Sequence, residues 1–133
     1  MTIVRERTKK DYIEDDSCPA YVDLSAMHLC FVTATGGATG SMQVTTPGGL
    51  GVLVYGVLLN DPAITEVAAL KIKGIAECRA HDTFDAGDEL TVAGATGRVT
   101  AAASGNYVCA ISREASGGAG HCVSVTLVDY YKP

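Results

Sequence analysis

The side chains best suited to chemistry are five cysteines, at positions 18, 30, 78, 109 and 122, with the histidines His81 and His121 close to two of them. Cys78-Arg-Ala-His81 supplies two soft ligands, and His121-Cys122 with Cys109 would complete a set that tetrahedral zinc accepts. A zinc site of that kind is normally announced by two closely spaced ligand pairs, and the sequence lacks them. The same groups would allow a thiolate nucleophile with an imidazole base, provided a third group orients the ring. No local motif supplies that third group. Small apolar thiols pack well inside strands, so the leading expectation is a set of reduced structural cysteines.

Other chemistry is weaker still. Asp85, Asp88 and Glu89 form an acidic cluster, but the run of oxygen ligands that makes a calcium loop is absent. Gly36-Gly-Ala-Thr-Gly40 is too short for a phosphate-binding loop and has no following lysine. Ser124 and Thr126 alternate with Val123, Val125 and Leu127, which places them on the wetter face of a strand. No catalytic residue, metal ligand or cofactor is therefore assigned.

The elements that hold these residues are short and β-like. Leu70–Ala80 has a clear two-residue period. Leu70, Ile72, Gly74, Ala76, Cys78 and Ala80 share one face, with Lys71, Lys73, Ile75, Glu77 and Arg79 on the other. Ile75 interrupts the polar face and is a candidate subunit contact. Strands are also predicted at Met27–Thr33, Met42–Thr46, Gly51–Leu59, Leu90–Val92, Arg98–Ala102, Tyr107–Ser112 and Val123–Leu127. Glycine-rich or acidic turns separate them. Pro62–Leu70 is the one place where a short helix is expected. Tyr130 and Tyr131 end the last strand as further candidate subunit contacts.

Composition sets the outer bounds. At 133 residues and 13.7 kDa, the chain can bury a core of its own without metal or disulfides. Its 15 glycines point to turns rather than long helices, and its 19% charged content leaves much surface to small residues. The net charge of −5 argues against direct nucleic-acid binding, which usually needs a clustered basic face. The opening residues lack the ordered basic and apolar regions of a secretory signal, and no apolar run is long enough for a membrane helix. A soluble intracellular product, with no membrane partner, is expected. Residues 1–19 stand apart, mixing Arg5, Arg7, Lys9 and Lys10 with acidic residues before Pro19. They are read as an N-terminal arm preceding a β-rich domain over 20–133.

From about Gly51 onward, the order and spacing of motifs resemble the head-decoration, or capsid-cement, proteins of tailed bacteriophages. The resemblance rests on Val54-Tyr-Gly-Val-Leu-Leu-Asn-Asp-Pro62, Lys73-Gly-Ile75, Ala86-Gly-Asp88, Ala95-Thr-Gly97 and Gly105-Asn-Tyr-Val-Cys-Ala-Ile111, then the glycine turn into Val123–Leu127. It covers roughly the last two thirds of the chain.

The resemblance implies an all-β fold, a small barrel or β-tulip-like domain with an extended N-terminal arm. It implies a homotrimer at local three-fold positions on the outer surface of the virion head, with the major capsid protein as partner, after synthesis in the host cytoplasm. Gly74, Gly87, Gly97 and Gly105 would then be structural turns, and Tyr107, Val108 and Ile111 packing residues. Ile3, Val4, Arg5, Arg7, Tyr12 and Ile13 would be the candidate capsid contacts, with the Thr35–Gly40 and Gly117–Gly120 loops as weaker ones. Two alternatives remain: an oligomeric receptor- or glycan-binding module on a phage particle, and a small β-barrel enzyme.

Overall fold

The computed structural model describes residues 13–36 and 41–133, with side chains from Ser17 onward. The chain is all-β, with no helix among the described residues. In chain order the strands are β1 (Ile13–Pro19), β2 (Phe31–Thr35), β3 (Gln43–Thr45), β4 (Gly56–Leu58), β5 (Val67–Arg79), β6 (Glu89–Val92), β7 (Val99–Ala101), β8 (Tyr107–Ser112) and β9 (Cys122–Tyr131). They form one antiparallel sheet in the order β3-β2-β4-β5-β9-β8-β6-β7, and β1 adds to β5. A bridge between Ala80 and Val99, reinforced by the His81 N–H to Val99 O bond, returns β7 to the end of β5. The sheet thus curls into a small barrel-like body.

β5 organises that body. As its alternation predicts, Ala68, Leu70, Ala76, Cys78 and Ala80 are buried, whereas Lys73, Ile75 and Glu77 are exposed. The strand is bent. Leu70 pairs with Leu58, whose carbonyl accepts from Leu29 N–H, while the Leu29 carbonyl accepts from Arg79 N–H. A straight strand would hold residues 70 and 79 about 30 Å apart. The break falls at Gly74, where φ is +100° and the strand's partner becomes β9 through the Gly74–Leu127 pair.

Two cores result. Cys18, Ala20, Leu24, Met27, Cys30, Val32, Val44, Leu58, Ala68 and Leu70 fill one. Ala76, Cys78, Ala80, Phe84, Leu90, Val92, Val99, Cys109, Ala110, Val123 and Val125 fill the other, with Phe31 and Val57. Phe31 and Val32 are neighbours in β2, and Val57 and Leu58 in β4, yet each pair divides between the two cores. Successive strand residues point to opposite faces, so β2 and β4 form the wall between them.

Several elements differ from expectation for local reasons. The helix expected over Pro62–Leu70 is a turn followed by β5, because Thr65 takes φ +71°, which no right-handed helix accommodates. The strand expected from Met27 begins only at Phe31. Met27 O instead closes a turn with Cys30 N–H, and Leu29 sits at φ +63°. Within Gly51–Leu59 only Gly56–Leu58 joins the ladder. The preceding run crosses the barrel instead, with Gly51 N–H bonded to Val92 O and Gly51 O accepting from Tyr107 N–H. Val123–Leu127 is extended at both ends into the ten-residue β9. Ile13–Pro19, grouped by composition with the arm, is laid along β5 from the Ile13–Lys73 pair to the Pro19–Val67 pair.

Candidate interaction surfaces

The thiols lie where their chemistry is suppressed. Cys18, Cys30, Cys78 and Cys109 are buried and reduced. Burial pushes the Cys78 thiol up to about 12, with smaller contributions from Cys30 and Cys122, and drives Cys109 higher still. Cys109 Sγ–H also donates to Leu90 O at 3.5 Å. Neither forms an appreciable thiolate near neutral pH, so neither is a ready nucleophile. Cys122 departs from the expectation of a packed strand thiol. It opens β9 at the surface, opposite Arg79. His81 and His121 are exposed, and no cluster of three potential metal ligands occurs among the described residues.

A different group of side chains converges instead. Tyr107 opens β8 opposite Tyr131 of β9, and their rings meet edge to face, with centroids 5.2 Å apart and planes at 64°. Such pairs combine a large apolar area with a defined geometry. The Gly51–Tyr107 backbone bond brings the run bearing Leu50 and Leu53 alongside. Leu50, Leu53, Tyr107 and Tyr131 are all large and exposed, at 63, 50, 38 and 53%. Tyr107 was expected to pack inward with Val108 and Ile111; Val108 is buried, Ile111 half-buried, and Tyr107 faces outward. Sequence reasoning also missed Leu50 and Leu53, because an apolar run reads as core unless its crossing path is known.

The neighbouring Tyr130 is fixed from its polar end. Its hydroxyl donates to Glu89 Oε2, while Glu89 Oε1 pairs with Lys132 Nζ at 2.9 Å. Lys132 Nζ also donates to Ala102 O at 3.3 Å, and its backbone N–H to Asn106 O at 2.9 Å. The bonds from Tyr130 and then Lys132 hold the Glu89 carboxyl below its ordinary value, and the Glu89 bond raises the Tyr130 phenol. This clasp pins the C-terminal strand to β6 and presents the Tyr130 ring in one orientation.

The other predicted positions fall elsewhere. Ile75 is half exposed on β5, opposite Thr126, and is not part of the tyrosine strip. Gly74, Gly87, Gly97 and Gly105 all have positive φ. Gly97 is more constrained than Gly87 or Gly105, since a methyl there would overlap Phe31 O at a close crossing where Phe31 N–H donates to Gly97 O. Ile3, Val4, Arg5, Arg7 and Tyr12 lie outside the described residues, as does most of the Thr35–Gly40 loop. Ile13 begins β1.

Between the Leu53–Gly56 run and the end of β9 lies a notch of about 60 Å³, floored by Phe31 and Ile72 and edged by Tyr107, Leu127 and Asp129. Pockets that enclose small-molecule substrates run to about 300 Å³ or more. The notch has room for one side chain.

No known protein family, curated protein or solved structure matches this chain. Its function is argued from the surfaces just described and from the sequence motifs.

Proposed function

We propose that this chain is a non-enzymatic decoration protein that binds the outer surface of an expanded bacteriophage head and reinforces contacts between major capsid subunits, as a homotrimer at local three-fold positions. The observation that supports this reading best is the strip Leu50–Leu53–Tyr107–Tyr131. It is an exposed apolar surface built on paired strands, with one tyrosine ring braced against another.

A surface of this kind suits binding more than turnover. Aromatic side chains held in place before contact lose little rotamer freedom on docking, and Tyr is favoured at the centre of interfaces. Ile75 supplies a second, separate apolar contact, suited to a neighbouring copy. Three linked copies would engage the head with a raised effective concentration after the first attachment. Burial of the thiols weighs against the enzyme alternative, because protonated Cys78 and Cys109 cannot attack a substrate at neutral pH.

Co-sedimentation with undecorated expanded heads, using unexpanded heads as control, tests the proposal. Saturable binding confined to expanded heads is expected, with copies per head set by the number of three-fold positions. Folded protein that binds neither form would overturn it and favour the receptor- or glycan-binding alternative, in which the same tyrosines stack on sugar rings.

A further inference from the structure

We propose that Arg79 and Arg98 form a binding site for an oxyanion, a phosphate or a carboxylate, at the end of the barrel where β5 finishes and β9 begins. This goes beyond the head-binding reading and does not depend on it.

Backbone bonds bring four segments together there. Arg79 N–H donates to Leu29 O at 3.0 Å and Phe31 N–H to Gly97 O at 2.8 Å, so the turn over His28–Cys30 links Arg79 to the Gly97-Arg98 pair. Ala80 N–H donates to His121 O, and Gly120 N–H to Ala80 O, both at 2.8 Å. Arg79 stands opposite Cys122 in the β5–β9 ladder. Arg98 reaches the same loop, since a methyl placed on Gly120 would lie 3.9 Å from its Nη1. Burial pushes the Cys30 thiol up, and Arg79 and Arg98 each pull it back, so both guanidinium groups act on one buried sulfur.

What these guanidinium groups lack is the second argument. Both arginines are half-buried. Arg79 Nε donates to His28 O at 3.0 Å, whereas the Arg98 guanidinium makes no hydrogen bond among the described residues. Neither forms an ion pair there. The flanking carboxylates are engaged elsewhere: Asp82 accepts from Thr100 Oγ1 at 2.9 Å, and Glu114 from Ser124 N–H at 3.2 Å. A guanidinium carries five N–H donors, and donors drawn partly out of water without a partner are costly.

Charge is the third. Residues 13–133 hold six cations against thirteen carboxylates. Two of those cations and all three histidines, His28, His81 and His121, fall in the four segments 28–30, 79–81, 97–99 and 120–122, which contain no carboxylate. A basic end on an acidic molecule, with planar forks of N–H donors, matches an oxyanion in charge and shape.

Titration of the full-length protein with sodium phosphate, and separately with sodium acetate, tests the site. Each is run at fixed pH and ionic strength against a sodium chloride control, following the amide resonances of Gly120–Cys122. Saturable shifts are expected. Saturation by phosphate alone marks a phosphate ligand, whereas saturation by acetate marks the carboxylate side chain of a partner. Arg79→Gln and Arg98→Gln should each weaken binding about tenfold. Arg98→Gln is the decisive variant, because its guanidinium bonds to nothing in the protein and the melting temperature should hold. Arg98→Lys keeps the charge but loses the fork, and should bind at an intermediate level. Lys73→Gln removes the same charge from an exposed position elsewhere on β5 and should bind as wild type does. Shifts no larger than those in chloride would overturn the proposal. Equal weakening by Lys73→Gln and Arg98→Gln would also overturn it, by reducing the effect to net charge.

Discussion

The two cores of this molecule are built by different means. The C-terminal core, around Leu90, Val92, Val123 and Val125, is ringed by β5, β9, β8, β6 and β7, with Phe31 and Val57 entering from the dividing wall. The N-terminal core, around Leu24, Val32, Leu58 and Leu70, relies on short strands and on the turns between Ala20 and Cys30. The strand ring carries the Tyr107–Tyr131 pair at its rim, whereas the turn-built half receives β1. The two halves share β2, β4 and β5.

Sharing makes a strong demand. Leu90→Ala in the strand-ringed core and Leu70→Ala in the turn-built core should each cost about 3 kcal/mol. Both are fully buried, and both variants should unfold in one transition because three strands serve both cores. Two separate transitions in calorimetry would break the shared-wall account. Gly97→Ala comes next, at about 2 kcal/mol or more, since it adds overlap with Phe31 O to an unfavourable φ of +72°. Gly105→Ala has an open site at φ +92° and should cost about 1 kcal/mol. Equal losses from the two glycine variants, read by urea denaturation, would deny the close crossing between the cores.

The strand-ringed core also carries a pH signature. The Cys78 thiol is raised from an ordinary value of 9.0 to about 12, so its stabilisation is complete below 9 and is lost as pH climbs from 9 to 12. By pH 10 that one thiol should have given up on the order of 1 kcal/mol. Cys78→Ala should flatten the alkaline fall in stability, and an unchanged slope would contradict the assignment. The last effect concerns function alone. Tyr131→Ala should weaken head binding about tenfold, equivalent to about 1.4 kcal/mol, with little change in folding. Unaltered affinity would remove the strip from the interface.

The strand-ringed half was the more legible in sequence, and for a physical reason. The C-terminal part of β5 alternates, so Leu70–Ala80 could be bounded nearly as it occurs, and the Gly-containing turn before Tyr107 marked the start of Tyr107–Ser112. The other half is decided by backbone conformations that side-chain pattern does not encode. Leu29 and Thr65 adopt positive φ against their own preference, which delays β2 and turns an expected helix into a bend. Mixed charge concealed β1, because Glu14, Asp15 and Asp16 read as a solvated arm although their backbone joins β5 through an irregular ladder. The glycines were identified by type, but their unequal importance was not, since only a fold reveals that Phe31 O lies against Gly97. One of the four residues of the tyrosine strip was visible. Tyr131 was read as a contact, whereas Leu50, Leu53 and Tyr107 depended on a non-local crossing.

The most direct test of the account is a cryo-electron microscopy reconstruction of expanded heads saturated with the protein. The account predicts trimeric density over the local three-fold positions, with the Leu50–Leu53–Tyr107–Tyr131 strip buried against the major capsid subunits. Density elsewhere, or a strip that faces solvent in the decorated head, would contradict it.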